Sequence, residues 1–411
     1  MLLLLLACAA DPAPKQPGNT GATTPSGPSW NDEVAPIVQE HCARCHAPDQ
    51  QAPDWFSDPA NAQVMATQML AAIDRGSMPP PAPDPDCRDY QGSDEHYLDD
   101  AERAVIAAWV DAGAPIEADA VGVQFVSPLP TSADLELRPP QKVKPAYDST
   151  GNAYLCYSFD VNQDVWATEF VPLVDNPKIV HHIVVYDASS DSDLPEEGVG
   201  FECDGFGESG WEFLAGWAPG GLNVSFGDGM ALRLSGGSRL VVAMHYYATN
   251  DSVEGEEDES GFGFNTADSA ETEVFSYPLG VYNFRIPADD ADYSRSDTTT
   301  WPSSYPAIGI VGVFPHMHQL GSGFDMGLTR VDDSEECLVR MDGWDFHNQA
   351  QAVFLEPARV EPGDKLKITC YWDNSADNPA QFNDPPEAVR LGEGSGDEMC
   401  FGFTYGFLAT D

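Results

Sequence analysis

The sequence predicts a multidomain chain in which a small all-α unit precedes two all-β sandwiches. Three observations carry this. A length of 411 residues exceeds one ordinary domain. Gly (36) and Pro (34) are both abundant, which favours turn-rich β architecture over helical bundles. The apolar pattern also changes along the chain, from helical spacing before residue 120 to short β-rich runs after it. The expected division is a leader and tether over 1–28, a helical unit over 29–120, and sandwiches over 121–275 and 276–411.

The N-terminus places Leu2 to Leu6 before the small residues around Cys8, the composition of an export signal. Leu5-Leu6-Ala7-Cys8 resembles a bacterial lipoprotein cleavage box, although the basic start of such a leader is missing. Cys8 is therefore the expected lipidation site, and the chain is expected to be exported to a periplasmic or cell-surface location. Membrane attachment would come only through that lipidated terminus, because no other apolar run approaches spanning length. Asp11 to Pro28, rich in Pro, Gly, Ser and Thr, reads as a flexible tether.

The helical unit follows. Val34, Ile37 and Val38 have helical spacing within Asn31 to Cys42. Ala60 to Arg75 puts Val64, Met65, Met69, Leu70 and Ile73 on one side and stops at Gly76. Asp99 to Ala112 does the same with Val105, Ile106, Trp109 and Val110, and stops at Gly113. Between the first two lies Cys42-Ala43-Arg44-Cys45-His46, the Cys-x-x-Cys-His pattern of covalent haem c attachment. Cys42 and Cys45 would form the thioethers, and His46 would ligate iron from one side. Met78, in the Pro-rich loop Arg75 to Pro80, is the expected sixth ligand; Met65 and Met69 compete for that role but fall on the helix's core side. His/Met ligation closes the iron and makes it an electron carrier. A zinc knuckle or a reactive dithiol is the competing reading of the two cysteines. His41 and His96 read as surface or supporting residues.

Beyond residue 120 the runs Lys178 to Tyr186, Arg239 to Ala248, Ala307 to Phe314 and Lys365 to Trp372 read as strands of antiparallel sandwiches. They carry a sparse set of metal donors. In His316-Met317-His318, residues two apart on a strand face one side, so both imidazoles can reach one ion. Met399 adds a soft thioether, which favours Cu(I) and suits zinc poorly. His181 and His182 are adjacent, so on a regular strand they point to opposite faces; a bulge or strand end must redirect one of them. His245, in Met244-His245-Tyr246, would complete a three-imidazole site. The set predicts two mononuclear coppers, with an open position for dioxygen at the second. A coupled dicopper site would want more imidazoles than the five positioned here. His347 reads as a structural or supporting residue.

Charge narrows the partners. There are 67 acidic residues against 19 basic ones, a net charge of −48, so nucleic acid is excluded. Acidic stretches such as Glu254 to Glu259 read as solvated loops. Once Cys8, Cys42 and Cys45 are set aside, Cys87, Cys156, Cys203, Cys337, Cys370 and Cys400 remain, and in an exported chain they are expected to form disulfides.

The β half resembles the copper type II, ascorbate-dependent monooxygenases, the family of peptidylglycine α-hydroxylating monooxygenase and dopamine β-hydroxylase. Val180-His181-His182, Gly216-Trp217-Ala218-Pro219-Gly220-Gly221, Met244-His245-Tyr246, His316-Met317-His318 with Gly321, and Asp397-Glu398-Met399-Cys400 carry the resemblance, in order, over most of that half. It implies two nine-stranded, jelly-roll-like sandwiches facing each other across an open cleft. His181, His182 and His245 would hold an electron-storing copper, and His316, His318 and Met399 an oxygen-activating one. It also implies disulfides Cys156–Cys203 and Cys370–Cys400, leaving Cys87 and Cys337 without assigned partners. The implied reaction inserts one atom of O2 into an aliphatic C–H bond of a small organic substrate and reduces the other to water. The external electron donor would be ascorbate-like or a redox protein; the attached cytochrome is itself a departure from the family, and its haem could replace or relay that donor one electron at a time. The chain departs from the peptide-amidating members at Phe314, where they carry an Arg for the substrate carboxylate, and at Phe403, where they carry a Tyr. Two other readings differ in class: a copper- and haem-binding electron-transfer protein with no substrate, and a hydrolase with zinc at the three-histidine site.

Overall fold

A computed structural model describes residues 27–409 apart from 149–150, 190, 192, 204–209, 220, 249–252, 254 and 393–395. Cys8, the expected leader and most of the expected tether lie outside the described residues.

The helical unit is present. A π-helical turn, Trp30–Val34, runs into helix Ala35–His41, followed by Ala43–His46, Pro59–Asp74 and Asp100–Asp111. The local signals are those of the sequence. Asp58 caps the long helix with Pro59 in its first turn, and Gly76 follows its end at φ +67°, a value that favours glycine. Asp99 and Glu102 form a reciprocal capping box on the last helix. Trp30, Val38, Ala66, Met69, Ile106 and Trp109 pack into one cluster. The two buried indoles donate to the carbonyls of Val121 (2.8 Å) and Pro115 (2.9 Å). The buried stripe of Pro59–Asp74 runs Ala62, Ala66, Met69; Val64, expected on it, is exposed. Small alanines let this helix approach its neighbours closely, which rotates the larger Val64 outward.

The rest of the chain is mostly β-sheet, consistent with sandwich domains. A five-stranded sheet runs in the order Gly200–Phe201, Asn152–Asp160, Arg239–Tyr247, Val180–Asp187, Glu212–Trp217. A four-stranded sheet runs Tyr293–Thr300, Lys365–Trp372, Gly321–Thr329, Glu335–Met341. A nine-stranded sheet joins both halves, in the order Leu135–Leu137, Gly261–Ala267, Val165–Leu173, Met230–Leu234, Thr272–Gly280, Phe401–Leu408, Ile308–His316, Ala352–Val360, with Val224–Ser225 paired to Val165–Leu173. The seam is the parallel pairing of Thr272–Gly280 with Met230–Leu234, so position 275 falls inside a strand.

The shared sheet explains the long apolar runs. In the strand Ala352–Val360, Val353 packs into the cluster of the first half while Ala352 and Phe354 pack into that of the second. Ile308–His316 likewise sends Val311 one way and Ile310 and Val313 the other. A strand buried on both faces cannot alternate with polar residues, hence Ile308 to Phe314 is almost wholly apolar.

The helical unit is docked onto the second half rather than left on a leash. Cys87 bonds to Cys337, so the two cysteines without assigned partners pair with one another. Beside this disulfide, Asp84 N–H donates to Arg340 O and Gln91 N–H to Val353 O, both at 2.8 Å. Arg88 pairs with Glu336 at 2.6 Å and lies 4.9 Å over the Phe354 ring. Tyr90 is buried in the core of the second half. Cys156–Cys203 and Cys370–Cys400 are also bonded, as the family resemblance implied.

Candidate metal centre

The backbone solves the problem of the adjacent histidines. Val180–Asp187 pairs with Arg239–Tyr247, and its register shifts between Val180 and His182: Val180 faces Tyr246 while His182 faces His245. The extra residue turns both rings toward one point. The Nδ1 atoms of His181, His182 and His245 stand 3.1, 3.1 and 3.3 Å apart. A tetrahedral ion with bonds of about 2.0 Å to imidazole would set its nitrogens about 3.3 Å apart. The donor set therefore fits a metal without rearrangement. His245 is oriented from behind: its Nε2 donates to Asn152 Oδ1 at 2.8 Å, and its ring stacks on Tyr154 at 4.3 Å. Donation through Nε2 leaves the Nδ1 lone pair for the cluster. Burial, followed by the neighbouring imidazoles, depresses all three pKa values, that of His245 to about 2. The rings are thus neutral, the form that binds metal.

The second group is built at a strand end. His316 is the last residue of Ile308–His316, and His318 lies beyond it, so the pair is not held within one strand as its spacing suggested. The physical reason is Glu398. Its buried carboxylate accepts the backbone N–H of His318 (3.0 Å), Leu320 (2.6 Å) and Met399 (3.2 Å), and the Trp372 indole (3.0 Å). These bonds replace a strand ladder and tie the His316–His318 turn to Met399. Burial pushes the Glu398 carboxyl up to about 7. The His316 and His318 rings lie 5.3 Å apart at 85°. His316 Nδ1 donates to Gln349 Oε1 at 2.7 Å and His318 Nδ1 to Asp397 O at 3.1 Å. A ring that donates through Nδ1 ligates through Nε2. Burial lowers His316 to about 3 and His318 to about 4.

One cavity of about 670 Å³ joins the groups; His182, His316 and Met399 all line it. The His316 imidazole is near enough to contribute to the depressed pKa of His182. Phe213 lines the same cavity, stacked on Phe403 at 4.2 Å and on Phe314 at 5.3 Å. The positions at which the peptide-amidating enzymes carry Arg and Tyr thus form one aromatic surface here. His347 also borders the cavity. Sequence reasoning missed Asn152, Tyr154 and Gln349, which hold the rings, and the part played by Glu398; none sits at a spacing that marks it.

In the helical unit, Cys42 and Cys45 are free thiols whose pKa values burial raises, that of Cys42 to about 12. His46 donates through Nδ1 to Pro53 O at 3.0 Å and stacks on Trp55 at 4.4 Å, which leaves Nε2 as its ligating atom. Met78 is 40% exposed, whereas Met69 is in the core. His41, read as a surface or supporting residue, is buried and bonded to Glu102 (3.2 Å) and Glu95 O (3.3 Å).

Residues 286–410 match the family model for the copper type II ascorbate-dependent monooxygenase, C-terminal domain. The likeness supports that family. DBH-like monooxygenase protein 2 of Mus musculus is 26% identical over 213 residues, 48% of this chain and 34% of that protein. DBH-like monooxygenase protein 1 of Mus musculus is 24% identical over 280 residues, 62% of this chain and 44% of that protein. The Gallus gallus protein 1 is 24% identical over 247 residues, 54% and 40% of the two chains. The chain thus spans a third to a half of the length of these relatives. Among the described residues, no helix is long and apolar enough to cross a membrane.

Proposed function

We propose that the chain is an exported, copper-dependent monooxygenase that hydroxylates an aliphatic C–H bond of a small, largely apolar molecule with O2. The observation that carries this reading is the convergence of the His181, His182 and His245 nitrogens on a cavity shared with His316 and Met399. In this reading His181, His182 and His245 hold one copper, and His316, His318 and Met399 the other. Copper, when bound, supplies one-electron transfer and activation of O2.

The chain's own residues have distinct tasks. Asn152, Gln349 and the Asp397 carbonyl fix which imidazole nitrogen meets the metal. Glu398 holds the two segments of the second site in register. Phe213, Phe314 and Phe403 offer an apolar face to the substrate and exclude water beside the metal donors. Phe314 stands where the peptide-amidating enzymes carry the Arg that binds a substrate carboxylate, so recognition of a peptide C-terminus in their manner is not expected.

We read residues 29–120 as a haem c unit, with Cys42 and Cys45 as thioether donors, His46 as one axial ligand and Met78 as the other. Its role would be one-electron supply to the coppers from an ascorbate-like or protein donor. Export agrees with three disulfides among the described residues; lipidation of Cys8 remains part of the same proposal.

Metal analysis and an optical spectrum of the purified chain, followed by O2 uptake with a panel of small apolar substrates, test this. Two coppers, one haem and substrate-dependent uptake are expected. Metal uptake with no O2 consumption for any C–H donor would leave an electron-transfer protein, and zinc in the three-histidine site a hydrolase.

A further inference from the structure

His347 is a fourth imidazole beside the three that converge. It stands on the loop 342–351, which joins Glu335–Met341 to Ala352–Val360 and so belongs to the second half of the chain. Its ring nevertheless lies 5.1 Å from that of His181, at 82°. The three rings of the cluster are spaced by 4.5, 4.7 and 5.3 Å. The His347 ring is thus as close to that of His181 as the cluster's rings are to each other, but its nitrogens are not among those that converge within 4.8 Å, so the side chain must swing inward to join them.

Its setting is that of a ligand. The Asp345 carboxylate accepts both the backbone N–H of His347 (2.9 Å) and its ring Nδ1–H (3.3 Å). A carboxylate on one ring nitrogen is the usual support for an imidazole that ligates through the other. The side chain is 60% exposed and borders the cavity, so core packing does not fix its rotamer. Three imidazoles would leave a copper held here with room for a further donor. The same loop touches the other site: Trp344 donates to His318 O at 3.1 Å, and Gln349 accepts from His316.

We propose that His347 supplies a fourth, exchangeable imidazole to the copper held by His181, His182 and His245, delivered across the cavity by the opposite half of the chain. This rests on the copper reading of that site. A fourth nitrogen donor favours Cu(II) over Cu(I), so engagement of His347 would be linked to oxidation state and would couple the first site to the loop that holds His316 and His318.

The test isolates the first site in the full-length chain by His316→Ala/His318→Ala, then adds His347→Ala. Cu(II) electron paramagnetic resonance, X-ray absorption and Cu(II) affinity are read, with circular dichroism to verify folding. Loss of one imidazole from the copper shell, Cu(II) affinity weaker by on the order of 10-fold or more, and recovery of the parent spectrum on adding free imidazole are expected. Asp345→Asn, which keeps the ring but removes its support, should fall between the two. An imidazole count and Cu(II) spectrum unchanged by His347→Ala would overturn the proposal while leaving the three-histidine copper site intact. Failure of the isolated site to take up copper at all would instead overturn the reading on which it rests.

Discussion

Glu398 accepts the backbone N–H of His318 at 3.0 Å while standing directly before Met399 in the chain. One buried carboxylate thereby joins two ligand segments about eighty residues apart in sequence. Four donors converge on it, so Glu398→Gln would turn an amide NH2 toward N–H groups that need an acceptor. Leaving buried donors unsatisfied costs about 1–3 kcal/mol each. The expected outcome is a stability loss of about 2–4 kcal/mol and loss of one copper per chain, the three-histidine site being retained. Urea unfolding and metal analysis check this. Full copper content at unchanged stability would show that the carboxylate is a bystander.

Asn152 is the counterpart at the other site. It touches no metal in the proposed arrangement; its side-chain oxygen accepts from the far nitrogen of His245. Asn152→Leu should free the imidazole to change tautomer and weaken copper binding at that site by about 10–100-fold, with little change in fold. His245→Ala should abolish binding there. Competition with a Cu(I) chelator separates the two; equal affinities for Asn152→Leu and the parent would remove Asn152 from the site.

Buried histidines make the metal-free chain sensitive to acid. His245, His316 and His318 have folded pKa values of about 2, 3 and 4, below the ordinary 6.5 of the unfolded chain. A depressed folded pKa means that the unfolded chain binds protons first. The stabilisation is therefore whole above 6.5 and is lost progressively as pH falls toward 4. Glu398, raised to about 7, acts in the opposite direction between there and its ordinary 4.5. Burial also lowers His46, His181 and His182, and raises Asp258 alongside Glu398, so depressed imidazoles outnumber raised carboxyls and net stability should fall. Urea midpoints of the metal-free chain at pH 7.5, 6.5, 5.5 and 4.5 measure this. A flat profile down to pH 5 would contradict the burial of these rings.

Local signals made the helices and strands legible. The helices Pro59–Asp74 and Asp100–Asp111 and the strand Lys365–Trp372 fall within a residue of where periodicity put them. The requirement for a bulge at His181-His182 follows from a period of two, and the register does shift there. Three features could not be read. The continuous sheet depends on Thr272–Gly280 finding Met230–Leu234, a pairing encoded by tertiary packing and not by either segment. The strand end after His316 depends on Glu398, which sequence presents only as one acid among 67. His347 lacks a partner at ligand spacing, because what brings it to His181 is the approach of the two halves.

The Cys87–Cys337 bond fixes the helical unit to the second half and closes a loop of 250 residues. In the chain-entropy account such a closure stabilises by about 5 kcal/mol. The other contacts are the Arg88–Glu336 pair, backbone hydrogen bonds and the Tyr90 ring buried in the second half's core. A partly exposed ion pair contributes about 0–1 kcal/mol and burial of a large side chain about 1.5–3 kcal/mol, so the covalent link should be the largest single contribution. Cys87→Ser/Cys337→Ser is therefore expected to lower the unfolding midpoint and to admit protease to residues 76–98, while the helical core around Trp30 and Trp109 stays folded. If the helical unit does supply electrons to the β half, the same variant should slow that transfer more than it slows reduction of the helical unit by an external donor. Limited proteolysis with calorimetry reads the first effect and stopped-flow absorbance the second. A variant with parent stability and proteolysis pattern would show that the noncovalent contacts alone hold the two parts together.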